Sequence, residues 1–214
     1  WDDPVTWGGK VPYPGEIVNV NHDVTLTEET VAGGINFSNG GKVILDGNNL
    51  VLNSPPIGAN ENSYIVMSSL EDHIDFNTTY RFGATLPVGN TLYNPVSFSG
   101  LFYQNFNIGL EYNEDLSDYN IPENTPSVAA SWNITPTTGQ ITQANPLKTT
   151  LQWHEDQMVN GFDPDESLIG NLHNNDWNYI NPESTDHDDD YYSTTFQAYN
   201  FSPFVVLNNQ LPLP

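Results

Sequence analysis

Apolar and polar residues alternate with a period of two through most of this chain, and no stretch sustains the 3.6-residue spacing of a helix. The alternation is longest over residues 74–88. There Ile74, Phe76, Thr78, Tyr80, Phe82, Ala84, Leu86 and Val88 fall on one face, and Asp75, Asn77, Thr79, Arg81, Gly83 and Thr85 on the other. Gly83 marks an expected bulge. The pattern resumes over 96–112, with Phe102, Phe106, Ile108, Leu110 and Tyr112 in phase. Two further runs, 128–134 and 147–153, read as neighbouring strands that place Trp132 and Trp153 on adjacent inner faces. An indole buried in such a position removes on the order of 150–250 Å² from water. This pair predicts the core of an antiparallel β-sandwich.

The first third of the chain reads differently. Short apolar-x-apolar units (Val18/Val20, Val24/Leu26, Ile35/Phe37, Val43/Leu45, Leu50/Leu52) recur every 6–11 residues, separated by Asn-, Asp- and Gly-rich turns. That rhythm predicts a short β-solenoid or a meander of tight hairpins. Pro55-Pro56 interrupts it near a seam. The expected architecture is therefore all-β: a solenoid-like or meander part over 1–60, packed on an antiparallel β-sandwich over 61–214. Residues 113–126, 136–146 and 181–190 read as loops, the region 171–177 as a short strand, and Phe204, Val206 and Leu207 as a last apolar strand.

Charge narrows the function. Asp and Glu number 27 against four basic residues, Lys10, Lys42, Arg81 and Lys148, giving a formal charge of −23. Nucleic acid is excluded as a partner, because neutralising phosphates takes Lys and Arg, and an anionic membrane surface is disfavoured for the same reason. Cysteine is absent, so neither disulfides nor thiol chemistry operates. No apolar run approaches the roughly 20 residues of a membrane-spanning helix, so membrane insertion is not expected. The opening at Trp1, with no signal peptide, leads us to expect a processed or excised piece of a longer protein.

Several phrases then resemble a known module. Asn49-Leu-Val-Leu, Ser63-Tyr-Ile-Val, Tyr80-Arg-Phe-Gly, Leu86-Pro-Val-Gly, Tyr93-Asn-Pro-Val, Trp132-Asn-Ile, Leu151-Gln-Trp and Phe201-Ser-Pro-Phe, in that order, resemble a β-module of bacterial type IX secretion substrates. In those proteins a Phe-Ser-Pro-Phe-like phrase followed by Leu-Pro precedes the C-terminal sorting domain; here Leu211-Pro212 is nearly the last thing in the chain, and the resemblance implies that the sorting domain was removed or omitted. Trp7-Gly-Gly-Lys-Val-Pro, Pro14-Gly-Glu-Ile-Val and His22-Asp-Val-Thr-Leu resemble the opening of a G8-type domain. Both resemblances imply an extracellular location, the type IX one a bacterial cell surface, and neither brings a catalytic residue that can be placed here.

Candidate chemistry is sparse. His154-Glu-Asp-Gln-Met158 has Met where a zinc-protease helix needs its second His, so no such site forms. Asp186, Asp188 and Asp190 alternate in a loop and are the candidate ligands for a hard cation, Ca²⁺. Tyr191 and Gln197 replace the Gly and Glu of an EF-hand, and the competing reading is a solvated acidic hairpin. Asp163/Asp165/Glu166 and Glu114/Asp115/Asp118 are lesser candidates of the same kind. Trp177, Tyr191 and Tyr192 are the candidate ligand-binding aromatics, able to stack on sugar rings; the alternative is that they pack as core or rim.

The leading expectation is a non-catalytic extracellular structural module, an adhesin stalk or the subunit of a surface filament. It would self-associate by β-strand edge contacts or pack against neighbouring domains of its parent. A carbohydrate-binding module that takes glycans is the alternative, and a polysaccharide-acting enzyme using paired carboxylates is the third.

Overall fold

The computed structural model describes residues 1–69, 71–77, 81–113, 116–119, 121–139, 141–173, 176–201 and 203–208. Thr78–80 of the long alternating run, Glu114, Asp115, the side chain of Asp118 and the Leu211-Pro212 phrase lie outside the described set. The chain is all-β, with single turns of 3₁₀ helix between strands.

The N-terminal part is a parallel solenoid, which settles the choice between coil and meander. Its first coil runs through β1 (Ile17–Val20), β2 (Val24–Thr25) and β3 (Thr30–Ala32), and its second through β4 (Gly34–Phe37), β5 (Val43–Ile44) and β6 (Asn49–Leu52). A third adds β7 (Ile65–Val66) and β8 (His73–Phe76), after which come β9 (Arg81–Leu86) and β10 (Val88–Gly89). Like strands stack in register: β1 on β4, β2 on β5 on β7 on β10, and β3 on β6 on β8. Val18, Val20, Val24, Leu26, Val43, Leu45, Leu50 and Leu52 point inward and are almost wholly buried. Successive turns are tied by buried Asp72, whose carboxylate accepts Gly47 N–H at 2.6 Å and Ser68 N–H at 2.5 Å.

The remaining strands are β11 (Val96–Phe102), β12 (Phe106–Glu111), β13 (Ser127–Pro136), β14 (Leu147–His154), β15 (Met158–Val159), β16 (Ser167–His173), β17 (Asp176–Ile180), β18 (Ser184–Asp188), β19 (Tyr191–Ala198) and β20 (Pro203–Asn208). They complete two sheets packed face to face. One is five-stranded, in the order β18-β19-β14-β11-β9. The other is nine-stranded, in the order β17-β16-β20-β13-β12-β8-β6-β3, with β15 beside β13. Phe98 of β11 stacks on Phe106 of β12 across the interface (centroids 4.6 Å apart), and Phe196 of β19 meets Phe204 of β20 at 5.3 Å. Because β8 pairs with β6 on one side and with β12 on the other, the solenoid face continues into the sandwich sheet. One apolar core runs from Val18 to Phe204, and the coils continue past residue 60 to Gly89.

Three expectations are corrected. Strands β13 and β14 are not neighbours: β13 pairs with β12, β15 and β20, and β14 with β11 and β19, so Trp132 and Trp153 reach the shared core from opposite sheets. The run over 74–88 divides among three sheets, through β8, β9 and β10, and the run over 96–112 divides between two. A period of two fixes which side chains point to the core; it does not say which sheet supplies them. The bulge falls not at Gly83 but on the strand beside it. Ser99 pairs with Gly83 and Phe102 with Arg81, so two residues of β11, one of them Gly100 at φ +92°, oppose one of β9.

The nine-stranded sheet is buried on both faces at one end. Leu116, Ile121, Leu168, Val205 and Leu207 form a second cluster on its outer side, with Tyr119, Trp177 and Tyr179 packed against it. Leu116, Tyr119 and Ile121 of the predicted loop therefore cover this face, and the unbroken apolar run Val205-Val206-Leu207 suits a strand covered on both sides.

Candidate functional site

The β18–β19 hairpin positions the candidate site. The stretch expected to be a loop is an edge strand closed by a two-residue turn, with Asp188 paired to Tyr191 and Asp189 in the left-handed region at φ +52°. Asp tolerates that conformation because its short side chain bonds locally. Strand β19 pairs on its other side with β14, which sets His154 opposite Tyr191, Trp153 opposite Tyr192 and Gln152 opposite Ser193. The turn before Pro95 hangs over this corner. Tyr93 bridges back to Gly89, its ring lies 5.5 Å from Tyr64 and 6.4 Å from Tyr191, and Tyr191 in turn meets His154 edge-on at 5.0 Å.

These elements enclose an open cleft of about 440 Å³, lined by Glu61, Tyr93, Gln152, residues 186–192 and Ser193. A buried amide pair, Asn94 and Gln157, ties the turn of the lining residue Tyr93, next in sequence to Asn94, to the chain after β14. Asn94 Nδ2 donates to Gln157 Oε1 at 2.7 Å, Gln157 Nε2 returns a bond to Asn94 Oδ1 at 3.1 Å, and Asn94 O accepts the Trp132 indole N–H at 3.1 Å. Gln157 Oε1 also accepts the His154 N–H at 3.0 Å. The phrase His154-Glu-Asp-Gln thus forms a capped single 3₁₀ turn, and its Gln157 ties that turn to Asn94, next to Tyr93.

The residues singled out by sequence fare unequally. Tyr191 lines the cleft. Tyr192 lines it too, but its ring is stacked between Trp153 (6.1 Å) and His187 (4.1 Å), which leaves neither face open to a sugar. Trp177 lies elsewhere. It sits on β17 at the edge of the other sheet, its indole N–H donates to Tyr119 O at 2.9 Å, and its ring covers Gly170 so closely that a Cβ there would meet it at 3.0 Å. Trp177 is thus a packing residue, the alternative weighed for it from sequence.

Asp186, Asp188 and Asp190 all line the cleft, yet among the described residues no three Asp, Glu or His side chains gather as a metal-ligand group. Asp186 and Asp188 stand on a strand, where alternate side chains project in parallel about 6.5–7 Å apart. Calcium draws its oxygens to within about 2.6 Å. Asp186 instead accepts the Ser184 hydroxyl at 3.0 Å. Of the lesser acidic set, Asp163 caps the 3₁₀ turn Pro164–Glu166 by accepting the Asp165 N–H at 3.0 Å.

No family model, characterised protein or solved structure matches this chain. The site must be read from its own geometry.

Sequence reasoning missed Glu61, Tyr93, Gln152 and His187. Glu61 comes from a solenoid turn with no motif around it. Tyr93 carried a readable signal, since the Asn-Pro that follows marks a turn at the point where solenoid gives way to sandwich.

The acidic surroundings act on the phenols. Burial pushes the Tyr93 hydroxyl up to about 12, and Tyr191 and Glu61 add to the shift. Burial, Glu61, Tyr64 and Asp190 raise that of Tyr191. Away from the cleft, Tyr119 also rises to about 12, first through burial and then through its 2.6 Å bond to Glu111. Between pH 10 and about 12 the folded protein keeps protons that the unfolded chain releases, so stability falls with rising pH in that window and is unaffected by these groups below it. Melting curves from pH 9 to 12 should show a decline that begins near pH 10, and Tyr93→Phe should make it shallower.

Proposed function

We propose that this chain is a non-catalytic module of the bacterial cell exterior whose cleft between the Tyr93 turn and the β18–β19 hairpin binds a neutral glycan. The observation that carries this reading is the composition of one concave surface. Protonated tyrosine hydroxyls, the Gln152 amide and the Ser193 hydroxyl stand beside carboxylates from Glu61 and Asp186 to Asp190, around the Tyr93–Tyr191 ring pair. Hydroxyl-rich ligands need donors and acceptors interleaved, with an aromatic body to receive the apolar face of a ring. Five carboxylates around the opening, on a chain of formal charge −23, repel anionic polysaccharides and nucleic acids.

The cell-surface location rests on the type IX and G8-like phrases. The rigid-spacer role expected of an adhesin stalk is compatible with the same scaffold, since one sheet runs through both solenoid and sandwich.

The test is a glycan array followed by calorimetry. Neutral oligosaccharides should bind in preference to sulfated or uronic-acid ones, and Tyr191→Ala should weaken binding by about tenfold or more, equivalent to about 1.4 kcal/mol. Chelator should leave the affinity unchanged, because no step of this reading uses a bridging cation. An array without reproducible hits, or hits indifferent to Tyr191, would overturn the proposal.

A further inference from the structure

The first solenoid coil ends the parallel ladders, so the outer edges of β1, β2 and β3 must be satisfied in some other way. The N-terminal arm serves two of them. The Trp1 ammonium donates to Thr25 O at 2.6 Å over β2, and Gly15 N–H donates to Val31 O at 3.2 Å over β3. Among the described residues no backbone group covers β1 in this way. Glu16 O and Val20 O accept Gly33 N–H and Ser38 N–H from the second coil, which places the even positions toward β4 and turns the N–H and C=O of Ile17 and Asn19 outward. A cavity of about 390 Å³ lies along that edge, walled on the far side by Thr6, Trp7, Gly8 and Lys10. Of its lining, Ile17 is 65 % exposed, and Val5 (83 %) and Tyr13 (62 %) are the exposed chain neighbours of the lining residues Thr6 and Pro12.

We infer that β1 is a strand-addition surface for a second copy of this chain, with the two β1 strands antiparallel about a two-fold axis through Val18. Its self-complementarity argues for that occupant. In an antiparallel pair, residues that exchange both backbone bonds alternate with residues that exchange none. With the axis at Val18, Ile17 of each copy faces Asn19 of the other, and the two outward-turned residues on each side satisfy one another with four hydrogen bonds. The charges agree. A chain of formal charge −23 repels its own copy, so contact is favoured where a lysine lies on the rim. Lys10 sits here with Glu16 at 3.8 Å, and across a two-fold each can answer the other's opposite number. The contact is isologous and closes on itself, so it yields a dimer and not a filament.

The experiment is sedimentation equilibrium of the whole chain over its accessible concentration range, beside Ile17→Lys, Asn19→Pro and Val18→Cys. Wild type should dimerise. Ile17→Lys changes only an outward side chain, Asn19→Pro removes one outward N–H, and each should weaken the dimer by about tenfold or more. The protein has no cysteine. Val18→Cys should therefore crosslink on mild oxidation, since the Cα atoms of a non-hydrogen-bonded pair lie about 4.5 Å apart. Should Asn19→Pro lose its native melting transition, Ile17→Lys decides. A monomer at every concentration with no crosslink, or a dimer indifferent to Ile17→Lys, overturns the inference.

Discussion

Trp132→Ala should destabilise the protein by about 3–5 kcal/mol, which in a chain of this size lowers the melting temperature by roughly 6–20 °C. The indole is fully buried, facing the five-stranded sheet from the middle of β13, and its N–H donates to Asn94 O. Removing it opens a cavity where the two sheets meet and leaves the Asn94 carbonyl without its indole donor. A milder pair separates the two contributions. The Trp153 indole N–H is equally buried but has no partner among the described residues. Trp132→Phe loses both volume and a hydrogen bond, whereas Trp153→Phe loses volume and relieves an unmet donor. Urea unfolding should therefore find Trp132→Phe the costlier by about 1–3 kcal/mol, the penalty of stranding one buried polar group. Equal costs would mean that the Asn94 bond contributes nothing.

Asn171→Leu should act in the opposite direction, raising stability by about 1–3 kcal/mol. Asn171 sits on β16 between Asn178 and Phe204, is fully buried, and neither its Nδ2 nor its Oδ1 bonds to any group of the described residues. Leucine has nearly the same shape and no polar atoms to desolvate. A melting temperature several degrees above wild type is the expected result. A drop would show that the amide is satisfied by a buried water, which leucine would expel.

These two sites mark how far the sequence could be read. The all-β class, the inward register of Trp132, Trp153, Phe106 and Ile108, and the short-strand character of the N-terminal part were visible, because side-chain direction depends only on period. Strand partnership was not. Residues 74–88 look continuous, yet β8, β9 and β10 enter three sheets, since pairing depends on long-range registry that a local pattern does not encode. Nor did the pattern show that the 116–121 stretch would cover the outer face of β20, although Val205-Val206-Leu207 hinted at burial on both sides.

The cleft was half legible. Tyr191 and the Asp186–Asp190 acids were singled out because they are concentrated in one stretch. Glu61 and Tyr93 arrive from 90 to 130 residues earlier in the chain, through the stacking of solenoid on sandwich. Trp177 lies apart from them: an aromatic near a turn reads alike whether it faces solvent or, as here, lies over Gly170.

The most direct measurement of the glycan-binding claim is an amide NMR titration of the isotopically labelled protein with the best neutral oligosaccharide from the array. The account predicts saturable shifts confined to Tyr93, Gln152 and residues 186–193, with Glu61 among them and with Trp177 and β17 unmoved. Shifts centred on any other surface, or none at ligand concentrations that saturate binding, would contradict it.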